Sequence, residues 1–233
     1  MKKIIVLNHK SDLTYEEAQK YPIEINDYIR NDQNVIICPN SIYVPYFKGK
    51  YNFILGSQSI NSNNITGSIT GKTLKSIDIK YALIGNHDKN DINNEEITSQ
   101  IKEAINNNIR PIVIIGETYY EYELNKTTSV IKRQIQDYFR NIDVKQDIII
   151  CYYPNWKYKG KQVPSITYIE EVIGLIKNII KHKYNANIKV IYGGNVSIDN
   201  IEKLDEISNN DGYLIEKPST NLKEIINLLN GIE

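Results

Sequence analysis

The residues best suited to chemistry stand in short polar clusters: Asn8-His9-Lys10, Gly85-Asn86-His87-Asp88-Lys89, Tyr152-Tyr153, Gly193-Gly194-Asn195 and Glu216-Lys217-Pro218. A loop histidine beside a carboxylate, as at His87 and Asp88, suits general base chemistry because imidazole titrates near neutrality. Glycines at such places let backbone turn sharply or approach a ligand. The stretch CYYPNW, residues 151–156, is the odd member, because it offers Tyr152 and Tyr153 but no carboxylate or histidine. An unperturbed phenol, with a pKa of about 10, is roughly 0.1% ionised at pH 7 and is a poor proton acceptor. Taken singly, a lysine after a strand is usually a solvated charge and Gly-Gly is usually a turn. The clusters therefore acquire meaning only if the fold gathers them.

Each cluster follows an apolar run. The runs at 3–7, 34–38, 52–55, 81–84, 111–115, 147–151, 188–192 and 212–215 read as strands. Those such as DIIIC lack polar alternation, as expected of strands covered on both faces in a parallel sheet. Between them lie stretches with apolar residues at helical spacing, such as Val130, Ile131, Ile135 and Tyr138, or Ile169, Val172, Ile173, Ile176 and Ile180. Thr14 with Glu17 forms a candidate capping box, and Ser197 and Thr220 sit where helix caps belong. Unbroken strand–helix alternation predicts a single (β/α)8 barrel domain spanning residues 1–233. Such a barrel puts its site on the loops after the strands, which is where these clusters fall.

Bulk properties limit the partners. Lys+Arg and Asp+Glu both number 28, so no net field favours nucleic acid or an acidic membrane. The longest apolar runs are too short to cross a bilayer, and the chain is expected to be cytoplasmic. Cys38 and Cys151 both end apolar runs and read as small buried hydrophobes rather than a disulfide or metal pair.

In combination and in order, the motifs resemble those of the triosephosphate isomerase family over almost the whole chain. LNHK is similar to that family's Asn-x-Lys, and YALIGNHDK to its segment ending Ile-Gly-His-Ser-Glu-Arg. RPIVIIGET and NKTTSVIKRQI resemble its fifth strand and the helix that follows. CYYPNW resembles Ala-Tyr-Glu-Pro-Val-Trp, IYGGNV resembles Tyr-Gly-Gly-Ser-Val, and DGYLIEKPS resembles Asp-Gly-Phe-Leu-Val-Gly-Gly-Ala-Ser. The resemblance implies a TIM barrel, homodimeric, that interconverts dihydroxyacetone phosphate and glyceraldehyde 3-phosphate in glycolysis without metal or organic cofactor.

It also assigns positions. Lys10, Asn86, Tyr153 and Asp88 fall on catalytic positions, and Asn8, Lys10, Gly160, Gly194, Asn195, Glu216 and Lys217 on substrate-binding ones. Tyr153 stands where the family has its glutamate base, and loss of a positioned base typically costs about 10²- to 10⁴-fold. Asn86 stands at the electrophilic histidine; an amide can still donate to an oxyanion but cannot relay a proton. Asp88 is expected to be a structural partner of Lys10. Glu216 and Lys217 replace two glycines whose backbone N–H groups cradle the phosphate, and Pro218, which has no N–H, follows them. An inward Glu216 would set a like charge beside that phosphate, offset by Lys217 only if Lys217 also turns in. Gly193, Gly194 and Asn195 keep the neighbouring half of the cradle. The loop between Trp156 and Pro164 is short, with Lys157, Lys159 and Lys161 in place of small or apolar residues, which disfavours lid closure. A shorter third loop points to a weaker dimer or a monomer. Strand-end alternation is expected to turn His9 and His87 away from the pocket, although a base role for either stays open.

Three readings stand. The first is a family homologue that has lost most or all isomerase activity and persists as a binding or regulatory barrel, with a small phosphorylated or anionic compound as its candidate ligand. The second is a divergent isomerase of a triose phosphate or a related sugar phosphate with a relocated base. The third is a barrel enzyme of different chemistry built on Lys10, His87, Asp88 or Glu216.

Overall fold

A computed structural model describes residues 2–85, 93–144, 147–156 and 163–232. Eight parallel strands close into one barrel in sequential order: β1 (Ile4–Asn8), β2 (Asn34–Cys38), β3 (Ile54–Ser57), β4 (Tyr81–Ile84), β5 (Arg110–Ile115), β6 (Ile149–Tyr152), β7 (Lys189–Gly193) and β8 (Gly212–Ile215). The barrel closes where Ile4 to Leu7 of β1 pair with Gly212 to Ile215 of β8. Helices surround it: α1 (Tyr15–Asn26), α2 (Gly71–Ser76), α3 (Asn94–Asn106), α4 (Tyr119–Glu123), α5 (Thr127–Tyr138), α6 (Ile166–Tyr184), α7 (Ile201–Asp205) and α8 (Leu222–Asn230).

The apolar strand runs are divided by alternation between two cores. Val6, Ile36, Cys38, Leu83, Ile112, Ile114, Cys151, Ile191 and Leu214 fill the barrel interior. Their neighbours, such as Leu7, Ile37, Ala82, Val113, Ile150, Tyr152, Tyr192 and Tyr213, pack outward against the helices. Each fully buried side chain of this size contributes about 1.5–3 kcal/mol of transfer free energy. Cys38 and Cys151 are free thiols, wholly buried, and burial pushes both well above the ordinary thiol range.

The expected strands are all present, with shifted ends. The third begins at Ile54 rather than at Asn52, because register is set by neighbours: Ile36 pairs with Ile54 and Gly56 with Tyr81. The Asn52 N–H instead donates to the Asn26 side chain at 2.7 Å. The capping box at Thr14 and Glu17 forms as expected. Two other expected caps are displaced. Ser197 lies before the turn, where its N–H donates to Asn200 Oδ1 at 2.9 Å, and α7 starts after Asn200. Thr220 lies in a short 3-10 turn, Lys217–Thr220, while Asn221 caps α8 by accepting from the Glu224 N–H at 3.2 Å. Among the described residues, no helix is long and apolar enough to cross a membrane.

Candidate functional site

At the carboxyl end of the barrel, alternation decides which side chains face the mouth. Asn8 ends β1, and its side chain reaches Glu216 across the mouth. His9 turns outward beneath α1, edge-on to Tyr21 with 4.5 Å between ring centroids and to Phe47 with 5.6 Å. Its two ring nitrogens have no hydrogen-bond partner among the described residues, and burial depresses its pKa to about 3, so it is a neutral core ring and not a base at the mouth. Lys10 returns toward the mouth from a left-handed backbone, φ 49°, uncommon for a residue with a side chain. Its carbonyl accepts from Gln58 Nε2 at 2.7 Å, and the same amide donates to the Cys38 carbonyl at 3.1 Å. Gln58 thus ties the Lys10 turn to β2, a role for which its place after a strand is the only signal in the sequence.

The Lys10 ammonium does not lie open to solvent alone. Its Nζ is 3.1 Å from Glu216 Oε1, with side-chain exposures of 35% and 19%, so the pair is sheltered but not sealed. Asn8 Nδ2 reaches the same oxygen at a longer 3.5 Å, and the Tyr153 hydroxyl donates to Glu216 Oε2 at 2.7 Å. Glu216 is thus turned inward, and the cation beside it is Lys10. Lys217, the residue expected to offset it, is exposed. Asp88, the expected partner of Lys10, lies outside the described residues, as do Asn86, His87 and Gly160 and the lysines 157, 159 and 161.

Tyr153 is placed by glycines. Its N–H donates to the Ile115 carbonyl at 2.8 Å, and its own carbonyl lies so close to Gly116 that a Cβ there would come within 2.0 Å of it. Gly116 is in turn clamped at both N–H and C=O by the Gln134 amide of α5, each at 3.0 Å. The phenol then passes over Gly193, where a Cβ would meet Tyr153 Cδ2 at 2.8 Å and Cys151 Sγ at 2.9 Å. It therefore spans from β6 across β7 to the end of β8. Beyond it, Gly194 at φ 127° and Asn195 at φ 54° form the left-handed turn after β7. The turn after β8 is held by Ser219, whose hydroxyl donates to the Asn8 carbonyl at 3.2 Å and whose carbonyl accepts from the Tyr21 hydroxyl.

On the outward side of the same strand ends lies a second polar cluster, which sequence reasoning did not single out. Glu117, wholly buried, accepts at Oε1 from Tyr152 OH (3.0 Å), Trp156 Nε1 (3.2 Å) and Tyr168 OH (3.3 Å). Burial pushes its carboxyl above the usual range despite these donors. Trp156, the last described residue before the loop 157–162, is ringed by Tyr119, Tyr122 and Tyr168. Adjacent Tyr152 and Tyr153 therefore serve opposite faces of one strand. Among the described residues, no group of histidine, cysteine or carboxylate side chains is arranged to hold a metal ion.

The mouth therefore gathers an ammonium, a carboxylate, a phenol and an amide from three strand ends. Its motif segments LNHK, CYYPNW, IYGGNV and DGYLIEKPS all end at this one face. A sequence model of triosephosphate isomerase matches residues 3–232, the entire barrel. The chain belongs to the triosephosphate isomerase family. Relatives named triosephosphate isomerase align end to end. The protein of Buchnera aphidicola subsp. Baizongia pistaciae is 30% identical over 249 residues, covering 98% of both chains. That of Orientia tsutsugamushi (strain Boryong) is 30% identical over 251 residues, covering 100% of this chain and 99% of its own. That of Mycoplasma mobile is 28% identical over 246 residues, covering 98% and 99%. Within the triosephosphate isomerase family, then, this barrel carries a tyrosine–carboxylate–lysine chain across its mouth.

Proposed function

We propose that this member of the triosephosphate isomerase family has lost most or all isomerase turnover and persists as a binding or regulatory barrel. One observation carries the reading: the Tyr153 hydroxyl, at the strand end that resembles the family's base position, donates its proton to Glu216 at 2.7 Å. A hydroxyl engaged as a donor is not poised to take a proton from carbon, and a missing base costs about 10²- to 10⁴-fold. The ring that reaches Glu216 also crosses the space over Gly193. Asn86 in place of a histidine weakens the site further, since an amide relays no proton. The barrel is read as one domain, residues 1–233, acting in the cytoplasm as a weakened homodimer or a monomer. No cofactor or metal enters this reading.

A steady-state assay with glyceraldehyde 3-phosphate and with dihydroxyacetone phosphate tests it. Turnover at or near background is expected, and robust wild-type turnover would sink the proposal.

A second reading rests on Glu216 itself. Its carboxylate faces the mouth, where a relocated base of a divergent isomerase would have to stand. Under that reading the wild type turns over a triose phosphate or a related sugar phosphate, and Glu216→Gln lowers kcat by about 10²- to 10⁴-fold. Pairing of the carboxylate with Lys10 and Tyr153 favours the first reading, because both contacts must break before it can accept a substrate proton.

A further inference from the structure

Three donors from two strand ends, those of β1 and β6, converge on a single carboxylate. Lys10 Nζ lies 3.1 Å from Glu216 Oε1, the Tyr153 hydroxyl lies 2.7 Å from Oε2, and Asn8 Nδ2 approaches Oε1 at 3.5 Å. An ammonium, a hydroxyl and an amide N–H are the groups with which proteins hold small oxyanions. Here the anion in the seat is part of the chain. It sits on the first residue after β8, and the turn that follows is fastened to β1 through Ser219 and to α1 through Tyr21.

We propose that Glu216 is a built-in anion that occupies the oxyanion seat of the barrel mouth, so that this residue determines that the wild-type protein rejects inorganic phosphate and phosphorylated ligands there. Two physical effects support the exclusion. A tethered group competes with free ligand at an effective concentration in the millimolar range or above, so phosphate at ordinary concentrations does not displace it. An anion that enters beside it meets a like charge within a sheltered mouth, a juxtaposition that costs about ten- to a hundredfold or more in affinity. The inference goes beyond loss of turnover, because a barrel without a base could still bind its phosphate.

Removing the charge should take the anion from the seat without dismantling it. Glu216→Gln keeps an oxygen able to accept from Tyr153 and leaves Lys10 facing a neutral group; Glu216→Gly removes the whole side chain and repeats the experiment should the amide variant fold poorly. Inorganic phosphate is titrated by calorimetry and by phosphorus NMR into the wild type, both variants and the double variant Glu216→Gln with Lys10→Met, each checked for folding by thermal melting. The expected result is at least about tenfold tighter phosphate binding in the folded single variants than in the wild type, with most of the gain lost when Lys10 is also replaced. Wild-type binding as tight as that of the variants overturns the inference. So does a folded variant that gains nothing, or a gain that survives Lys10→Met. Because the readout is binding, an inactive wild type that binds phosphate well would defeat this inference and leave the loss of turnover standing, while wild-type turnover would defeat the loss of turnover in its own assay.

Discussion

The hydroxyl of Tyr153 lies 2.7 Å from Oε2 of Glu216, joining the end of β6 to the end of β8 across the barrel mouth. The span is possible because β7 ends between them in Gly193, which has no side chain to obstruct the ring. Residues far apart in the chain thus form one unit. Their effects should not be separable.

Tyr153→Glu alone is expected to restore little isomerase turnover. It would place a second carboxylate beside Glu216, with Lys10 to share between them, and would leave Glu216 turned into the mouth. Combining it with Glu216→Gly and Lys217→Gly should gain more than the sum of the separate changes, because base and phosphate grip act on one bound substrate. Steady-state kinetics on the series decides; near-complete rescue by Tyr153→Glu alone would show that the rest of the mouth is intact.

Glu117 should matter for stability through what it accepts. Glu117→Ala strands the buried Tyr152 and Trp156 donors, while the Tyr168 hydroxyl keeps Thr127 Oγ1 at 2.6 Å, and is expected to cost about 2–5 kcal/mol. Glu117→Gln keeps an acceptor and should cost far less. Because burial raises the native Glu117 carboxyl, its contribution is present at low pH and lost as pH rises through the native value, and the glutamine variant should lack that loss. Urea unfolding of the three proteins at several pH values reads both effects; equal stability of the alanine and glutamine variants would contradict the assignment.

His9 predicts a pH dependence of the opposite sense. Its native pKa of about 3 lies below the unfolded value of about 6.5. Between those limits the unfolded chain binds a proton that the native state does not, so stability falls as pH drops below about 6.5, by up to about 1.4 kcal/mol per unit. Above that pH the contribution is flat. The wild type should therefore lose stability relative to His9→Phe as pH falls from 7 to 4; parallel curves over that range would rule the effect out.

Assembly should be weak. The loop after β3 is closed on itself, with the Asn61 N–H donating to the Ile69 carbonyl at 2.8 Å and the Ile69 N–H to Asn61 Oδ1 at 3.0 Å. A short loop so satisfied offers a partner little to bind beyond exposed apolar groups such as Ile65. Light scattering across a dilution series is expected to show dissociation to monomer in the micromolar range or above, and a dimer that persists at nanomolar concentration would refute this.

By itself the sequence determined the barrel. Eight apolar runs separated by helical periodicity leave parallel strands covered on both faces as the one arrangement that buries them all, and that pattern is local enough to read residue by residue. It also determined that CYYPNW brings no carboxylate or histidine to its strand end, since residue type alone shows that. Strand ends were less legible. The start of β3 depends on pairing to Ile36 and Tyr81, which are distant in the chain. So were the partners at the mouth. Lys10 and Glu216 are 206 positions apart by number and meet only because β1 and β8 close the barrel side by side, and no spacing rule reaches that far. Which of two adjacent tyrosines serves the mouth and which serves the buried Glu117 is likewise a matter of strand orientation about the barrel axis: one step of alternation sends Tyr152 to the helices and Tyr153 to Glu216.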